Sequence, residues 1–202
     1  QGGGVVSIRT YQDLLKNEAD ARLFDYYATS QPTEIGLDGQ ARAVGTAGVY
    51  LGLSVSPDGG YLLSQRAQRP YSYVVPLSSF PRRIEVLDRG GTLVHTVAVR
   101  PLVEGLPTGN DAEVTGVRDI SWRADVPATL VWAEAQDGGD PNREAAIRDA
   151  VLMQPAPFDK PPVTLAQLGS RYAGITWARG DLALLNESWW KTRRSKTWLI
   201  AP

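Results

Sequence analysis

One pattern occurs three times in this chain, and it limits the fold more than any other feature. The stretches are Leu53-Ser54-Val55-Ser56-Pro57-Asp58-Gly59-Gly60-Tyr61-Leu62-Leu63, Ile120-Ser121-Trp122-Arg123-Ala124-Asp125-Val126-Pro127-Ala128-Thr129-Leu130-Val131-Trp132 and Ile175-Thr176-Trp177-Ala178-Arg179-Gly180-Asp181-Leu182-Ala183-Leu184-Leu185. Each reads as a short apolar strand, a tight polar turn and a second apolar strand. The equivalent positions Leu53, Ile120 and Ile175 recur at a pitch of roughly 60 residues, which suits one small antiparallel sheet plus insertions. Repeated sheets of this size form propeller blades. The expected fold is all-β: a partial β-propeller of about three blades of antiparallel sheet, with a short N-terminal helical segment. A blade is scaffold, so the chemistry need not lie in it.

The chain has 202 residues, 43% of them apolar, enough for a sizeable core. Its 20 glycines and 14 prolines suit many turns. A net charge of -1 argues against a nucleic-acid-binding stripe. No stretch reaches the length of a membrane helix. Without cysteine there is no disulfide framework and no thiolate nucleophile. Gln1-Gly2-Gly3-Gly4 carries no leader pattern and reads as a processed terminus or a chain boundary.

Residues 1–41 read as an N-terminal extension. Leu14, Leu15, Ala19, Leu23, Phe24 and Tyr27 form a rough helical stripe that Thr10 or Asp13 would cap. Residues 42–202 read as the partial propeller, in units of about 42–99, 117–168 and 169–202. In the first unit, 49–55 and 61–64 pair across the Asp58-Gly59 turn, 71–76 reads as a third strand and 83–88 as a fourth. Residues 100–116 read as a long loop. Val163–Leu168 either ends the second unit or begins a connector. The third unit lacks its fourth strand. A closed propeller hides its edges. About two and three-quarter blades would therefore need further blades, another domain, or self-association through open edges.

Candidate chemistry is sparse. His95 is the only histidine and lies in an alternating run, so neither a multi-histidine metal site nor a Ser-His-Asp triad is expected. No Gly-x-Ser-x-Gly elbow is present. Asp58, Asp111, Glu113, Asp125, Glu134 and Glu187 are carboxylates without a spacing that assigns them glycosidase roles. Gly2-Gly3-Gly4, Gly90-Gly91 and Gly138-Gly139 match no phosphate-binding fingerprint. No catalytic residue, cofactor or metal is expected. Trp122, Trp132 and Trp177 read as core fillers between sheets. The segment Glu187-Ser188-Trp189-Trp190-Lys191-Thr192-Arg193-Arg194-Ser195-Lys196-Thr197-Trp198 is the exception, with four positive charges between aromatics. Its stems can simply cover rings. Alternatively Lys191, Arg193 and Arg194 meet a substrate carboxylate or an acidic surface of another domain.

Several motifs also carry a family resemblance. Tyr50-Leu51-Gly52-Leu53-Ser54-Val55-Ser56-Pro57-Asp58-Gly59 resembles an early blade of the prolyl oligopeptidase clan. Pro70-Tyr71-Ser72-Tyr73-Val74-Val75-Pro76, Phe80-Pro81-Arg82-Arg83, Arg118-Asp119-Ile120-Ser121-Trp122-Arg123-Ala124-Asp125, Thr129-Leu130-Val131-Trp132-Ala133-Glu134-Ala135 and Glu187-Ser188-Trp189-Trp190-Lys191-Thr192-Arg193-Arg194 narrow it. Together, over about 42–202, they resemble the propeller portion of glutamyl endopeptidases of the S9 serine peptidase type, found in plant chloroplasts and in bacteria. The resemblance implies a peptide substrate, a propeller that screens access, and a C-terminal α/β-hydrolase domain that holds the triad outside this chain. It implies the chloroplast stroma for a plant protein and the periplasm or secretion for a bacterial one. The other reading is a non-enzymatic β-rich module that binds a protein or an acidic ligand.

Overall fold

The computed structural model describes residues 11–107 and 109–202. They fall into two compact units, one with described residues 11–104 and the other Gly105–Pro202.

The first unit opens with helix α1, Glu18–Ala28. The Asn17 side chain accepts a hydrogen bond from the Asp20 N–H at 3.0 Å and caps it. The cap is thus neither Asp13, which sits in a left-handed bend, nor Thr10, which lies outside the described residues. The expected stripe is also rotated. Leu23 and Tyr27 are exposed, while Ala21 is buried and Phe24 packs edge-on against Tyr71 and Phe80. Polar pairs fix this orientation: Arg69 donates to Asp25 at 2.8 Å and to Glu18 at 2.9 Å.

Five strands form the first sheet, in the order β1 (Thr29–Ser30), β4 (Gly48–Val55), β5 (Tyr61–Ala67), β6 (Arg82–Asp88) and β7 (Leu93–Arg100). All neighbours are antiparallel. Between β1 and β4 a separate hairpin pairs β2 (Thr33–Ile35) with β3 (Ala41–Ala43). The β4–β5 turn forms as its residues dictate. Asp58 accepts from the Ser56 hydroxyl at 2.6 Å and the Gly60 N–H at 2.9 Å. Gly59 takes the positive φ of 72° that this turn requires.

Residues 71–76 are not a strand, so β6 and β7 are the third and fourth strands of the meander. Pro70 and Pro76 supply no N–H to a ladder, and Ser72 satisfies the Val74 N–H locally at 3.1 Å. Tyr71 and Val75 instead pack inward, Tyr71 stacked on Phe80 at 5.1 Å and Val75 buried, while Tyr73 is exposed. β1 went unexpected because two residues carry no periodicity.

The second unit begins with the expected loop and then builds two sheets. The first is a four-stranded antiparallel meander of β8 (Arg118–Trp122), β9 (Thr129–Ala135), β10 (Asp149–Pro155) and β11 (Val163–Leu168). Val163–Leu168 therefore closes the blade. The next has three strands, β12 (Arg171–Arg179), β13 (Leu182–Trp189) and β14 (Arg194–Ile200). Along β13 the pleat alternates: Ala183, Leu185 and Glu187 are buried while Leu184 is exposed. Leu185 joins Val131, Val151 and Leu168 in one apolar cluster, with Ile175, Trp177 and Ile200 against it. Each such side chain contributes about 1.5–3 kcal/mol when fully buried.

Among the described residues the fold is thus all-β apart from α1 and short 3-10 turns, with three successive antiparallel sheets of blade type, a partial β-propeller. Trp122 and Trp132 are core residues, at 9% and 3% exposure. Trp177 lies in the seam but only half-buried. The Arg123 guanidinium covers its ring at 4.5 Å, held by Asp125 at 2.8 and 3.0 Å.

Candidate functional site

The site is assembled where β13 turns into β14. Trp190–Thr192 form one 3-10 turn, and Arg193 takes a left-handed conformation with φ of 55° that redirects the chain into β14. The Asp111 carboxylate pins this turn by accepting the N–H groups of Trp190 at 2.8 Å and Lys191 at 3.2 Å. Asp111 is therefore a buried structural cap.

Beneath the turn lies a network of buried charges. Arg171, the first residue of β12, donates from Nη1 and Nη2 to Asp137 at 2.9 and 2.8 Å. It also reaches Asp149 at 3.0 Å and, through Nε, the Asp111 carbonyl at 2.8 Å. Asp149 accepts in addition from Arg118, the first residue of β8, and from the Tyr172 N–H at 2.6 Å. Arg148 donates to Asp137 at 2.8 Å. The side chains of Asp137 and Asp149 are both wholly inaccessible. Charges buried this deeply persist only when paired and hydrogen-bonded.

The Asp137 loop requires glycine next to it. Gly139 has φ of 74°, and a Cβ there would lie 2.0 Å from the Glu113 carbonyl oxygen. The Glu113 N–H donates back to the Gly139 carbonyl at 3.0 Å.

Titration follows from this packing. Burial opposes ionisation of Asp137, but the Arg171 and Arg148 guanidiniums more than offset it and hold its carboxyl below the ordinary value. Burial pushes the Asp149 carboxyl up despite Arg118, the Tyr172 N–H and Arg171. It raises Glu113 likewise, against the pull of Arg118 at 3.9 Å. The Tyr172 phenol is pushed up to about 12, by burial first and then by the charge of Asp119.

Above the network is a groove of about 540 Å³. Trp189, Trp190 and Tyr172 supply aromatic walls, Asp111 and Glu113 acidic ones, and Arg171, Arg193 and Arg194 the positive charge. Arg148 and Arg171 lie against the Trp189 ring at 4.6 and 5.7 Å, fixing one wall to the network.

The three cations singled out from the sequence separate here. All are exposed. Arg193 lies over the Trp190 ring at 3.5 Å, so its stem and head cover that indole. Lys191 does not line the groove. Arg194 lines it, and its side chain has no hydrogen bond, ion pair or ring contact among the described residues.

The other candidate acids have structural partners. Asp58 serves its turn, Asp125 pairs with Arg123, and Glu134 accepts the Trp132 indole N–H at 2.8 Å. Glu187, at 1% exposure, accepts from the Ser170 N–H at 2.8 Å and the Trp198 indole at 3.1 Å. His95 is half-buried on β7, opposite Val86. Among the described residues no group of three or more histidine, aspartate or glutamate side chains could hold a metal ion, and no helix is long and apolar enough to cross a membrane.

The sequence reading missed the Arg118–Asp149–Arg171–Asp137 network. One signal was present: an arginine opens the first strand of both sheets of this unit.

The chain is similar to two plant proteins described as probable glutamyl endopeptidases. It is 48% identical over 200 residues to a probable chloroplastic glutamyl endopeptidase of Arabidopsis thaliana, and 45% identical over 200 residues to one of Oryza sativa subsp. japonica. Each match covers 98% of this chain and 21% of the relative. The chain thus spans about a fifth of the length of the curated relatives it matches. The likeness also reaches well before residue 42, where the motif resemblance begins, and takes in α1. No known family profile matches the chain, and no solved structure does.

Proposed function

We propose that this chain forms non-catalytic propeller blades, with units of about 42–99, 117–168 and 169–202, in a serine endopeptidase that cleaves after glutamate. The observation that carries the reading is the 48% identity extending over 98% of the chain. The blades screen the access of peptides and pack against an α/β-hydrolase domain that supplies the nucleophile and its base. A plant protein of this kind would reside in the chloroplast stroma, a bacterial one in the periplasm or outside the cell.

Within these blades the acidic side chain of the substrate is read by the basic groove, and Arg194 is the residue best fitted to it. A guanidinium presents a rigid fork to carboxylate oxygens. Arg194 has no competing partner among the described residues, whereas Arg193 is committed to Trp190. Lys191, on the same turn, contributes long-range attraction or meets the neighbouring domain.

The test is to expose residues 1–202 to a serine-reactive phosphonate and to a glutamyl peptide. The expected result is an unchanged intact mass and no turnover. Stoichiometric labelling of one serine with matching turnover would place the catalytic machinery in this chain and overturn the reading.

A further inference from the structure

A second, smaller pocket of about 230 Å³ shares Trp189 and Arg194 with the larger groove. Arg148, Arg194 and Lys196 line it. Arg148 commits only Nη1, to Asp137 and to the carbonyls of Arg143 and Asp140, so its Nε and Nη2 have no acceptor among the described residues. The indole of Trp189 lies 4.6 Å from its guanidinium and orients it. Arg194 has no polar partner among the described residues. The Lys196 ammonium has three N–H groups, one of them directed at Glu187 at 3.4 Å.

Glu187 is the only acid in the lining, and its oxygens already take the Ser170 N–H and the Trp198 indole. Strand register holds the cations in place: Arg194 stands opposite Trp189, and Lys196 opposite Glu187. Three cationic side chains thus line a space too small for a peptide segment. A planar carboxylate is matched by one guanidinium fork, whereas a phosphate offers oxygens in several directions.

We propose that this pocket binds a phosphate-type oxyanion, either free inorganic phosphate or the phosphate monoester of a side chain. If Arg194 also reads the acid of the substrate, as proposed above, the bound anion draws it from the larger groove and weakens the preference for acidic peptides. That coupling rests on the earlier reading; binding itself does not.

Inorganic phosphate is titrated into the 202-residue chain at an ionic strength held constant with chloride, by calorimetry and by the indole N–H resonances. Saturable binding at one site is expected, weakened about tenfold or more in Arg194→Gln and in Lys196→Gln. Arg193→Gln, which removes a cation from the other groove, should bind as the parent chain does. No saturable binding, or equal binding in Lys196→Gln, would overturn the site. N-acetyl-phosphoserine amide in a parallel titration separates the sources: tighter binding than phosphate favours a side-chain monoester, weaker binding the free ion. In the intact peptidase, phosphate should lower the glutamyl/glutaminyl ratio of kcat/KM, and less so in Lys196→Gln. A ratio that ignores phosphate while binding persists would overturn the coupling alone.

Discussion

Arg171 and Asp137 face each other fork to fork, with Nη1–Oδ1 at 2.9 Å and Nη2–Oδ2 at 2.8 Å, and so join the third sheet to the loop that follows β9 of the second. Neither side chain reaches water appreciably. Breaking such a pair strands a charge where it cannot be solvated. Arg171→Gln is predicted to cost about 3–5 kcal/mol in denaturant melts. Arg171→Lys should recover little, because an ammonium cannot replace the fork. A loss below about 1 kcal/mol would mean that solvent or a neighbouring group compensates.

Trp122 and Trp177 should behave differently, although the repeat makes them equivalent in sequence. Trp122→Ala is predicted to cost roughly 3–5 kcal/mol, as for large core aromatics. Trp177→Ala should cost about 2 kcal/mol, from partial burial plus one guanidinium–ring contact. Equal losses at the two sites would show that the repeat, rather than the local packing, sets the energetics.

Gly139→Ala tests the close approach of two loops. The added methyl would meet the Glu113 carbonyl at 2.0 Å in a backbone region that disfavours Cβ. Destabilisation of more than about 1 kcal/mol is expected in thermal or denaturant melts. A neutral or stabilising change would contradict the described path of the Asp137–Asp140 loop.

Tyr172 gives the pH dependence. Its phenol titrates at about 12 in the folded chain, against an ordinary value of 10.0. The folded state therefore keeps a proton that the unfolded state releases. Stability from this group is complete below 10.0 and is lost as the pH rises through about 12. The difference in phenolate absorbance between the parent chain and Tyr172→Phe should show no step near 10.0. A step there would mean that the ring is solvated.

The fold was legible where chemistry is local. Asp58-Gly59 specifies its turn through bonds spanning two or three residues, and the strands on either side follow. Residues 71–76 misled because tyrosine and valine alternate identically in a strand and in an irregular packed loop. The network stayed hidden because Asp137 and Arg171 are 34 positions apart, and no periodicity encodes which charges meet. The basic turn stood out by composition, but only its geometry separates Arg194 from Arg193.

The proposed function makes Arg194 the reader of the substrate's acid for a catalytic domain in another part of the protein. The deciding experiment is kcat/KM on a glutamyl peptide and on its glutaminyl analogue, in the full-length protein and in its Arg194→Gln variant. The glutamyl/glutaminyl ratio is expected to fall about tenfold, the size of one charge-assisted hydrogen bond, while the glutaminyl rate is kept. An unchanged ratio in Arg194→Gln, and likewise in Arg193→Gln and Lys191→Gln, would contradict it and assign recognition of the carboxylate to residues outside this groove.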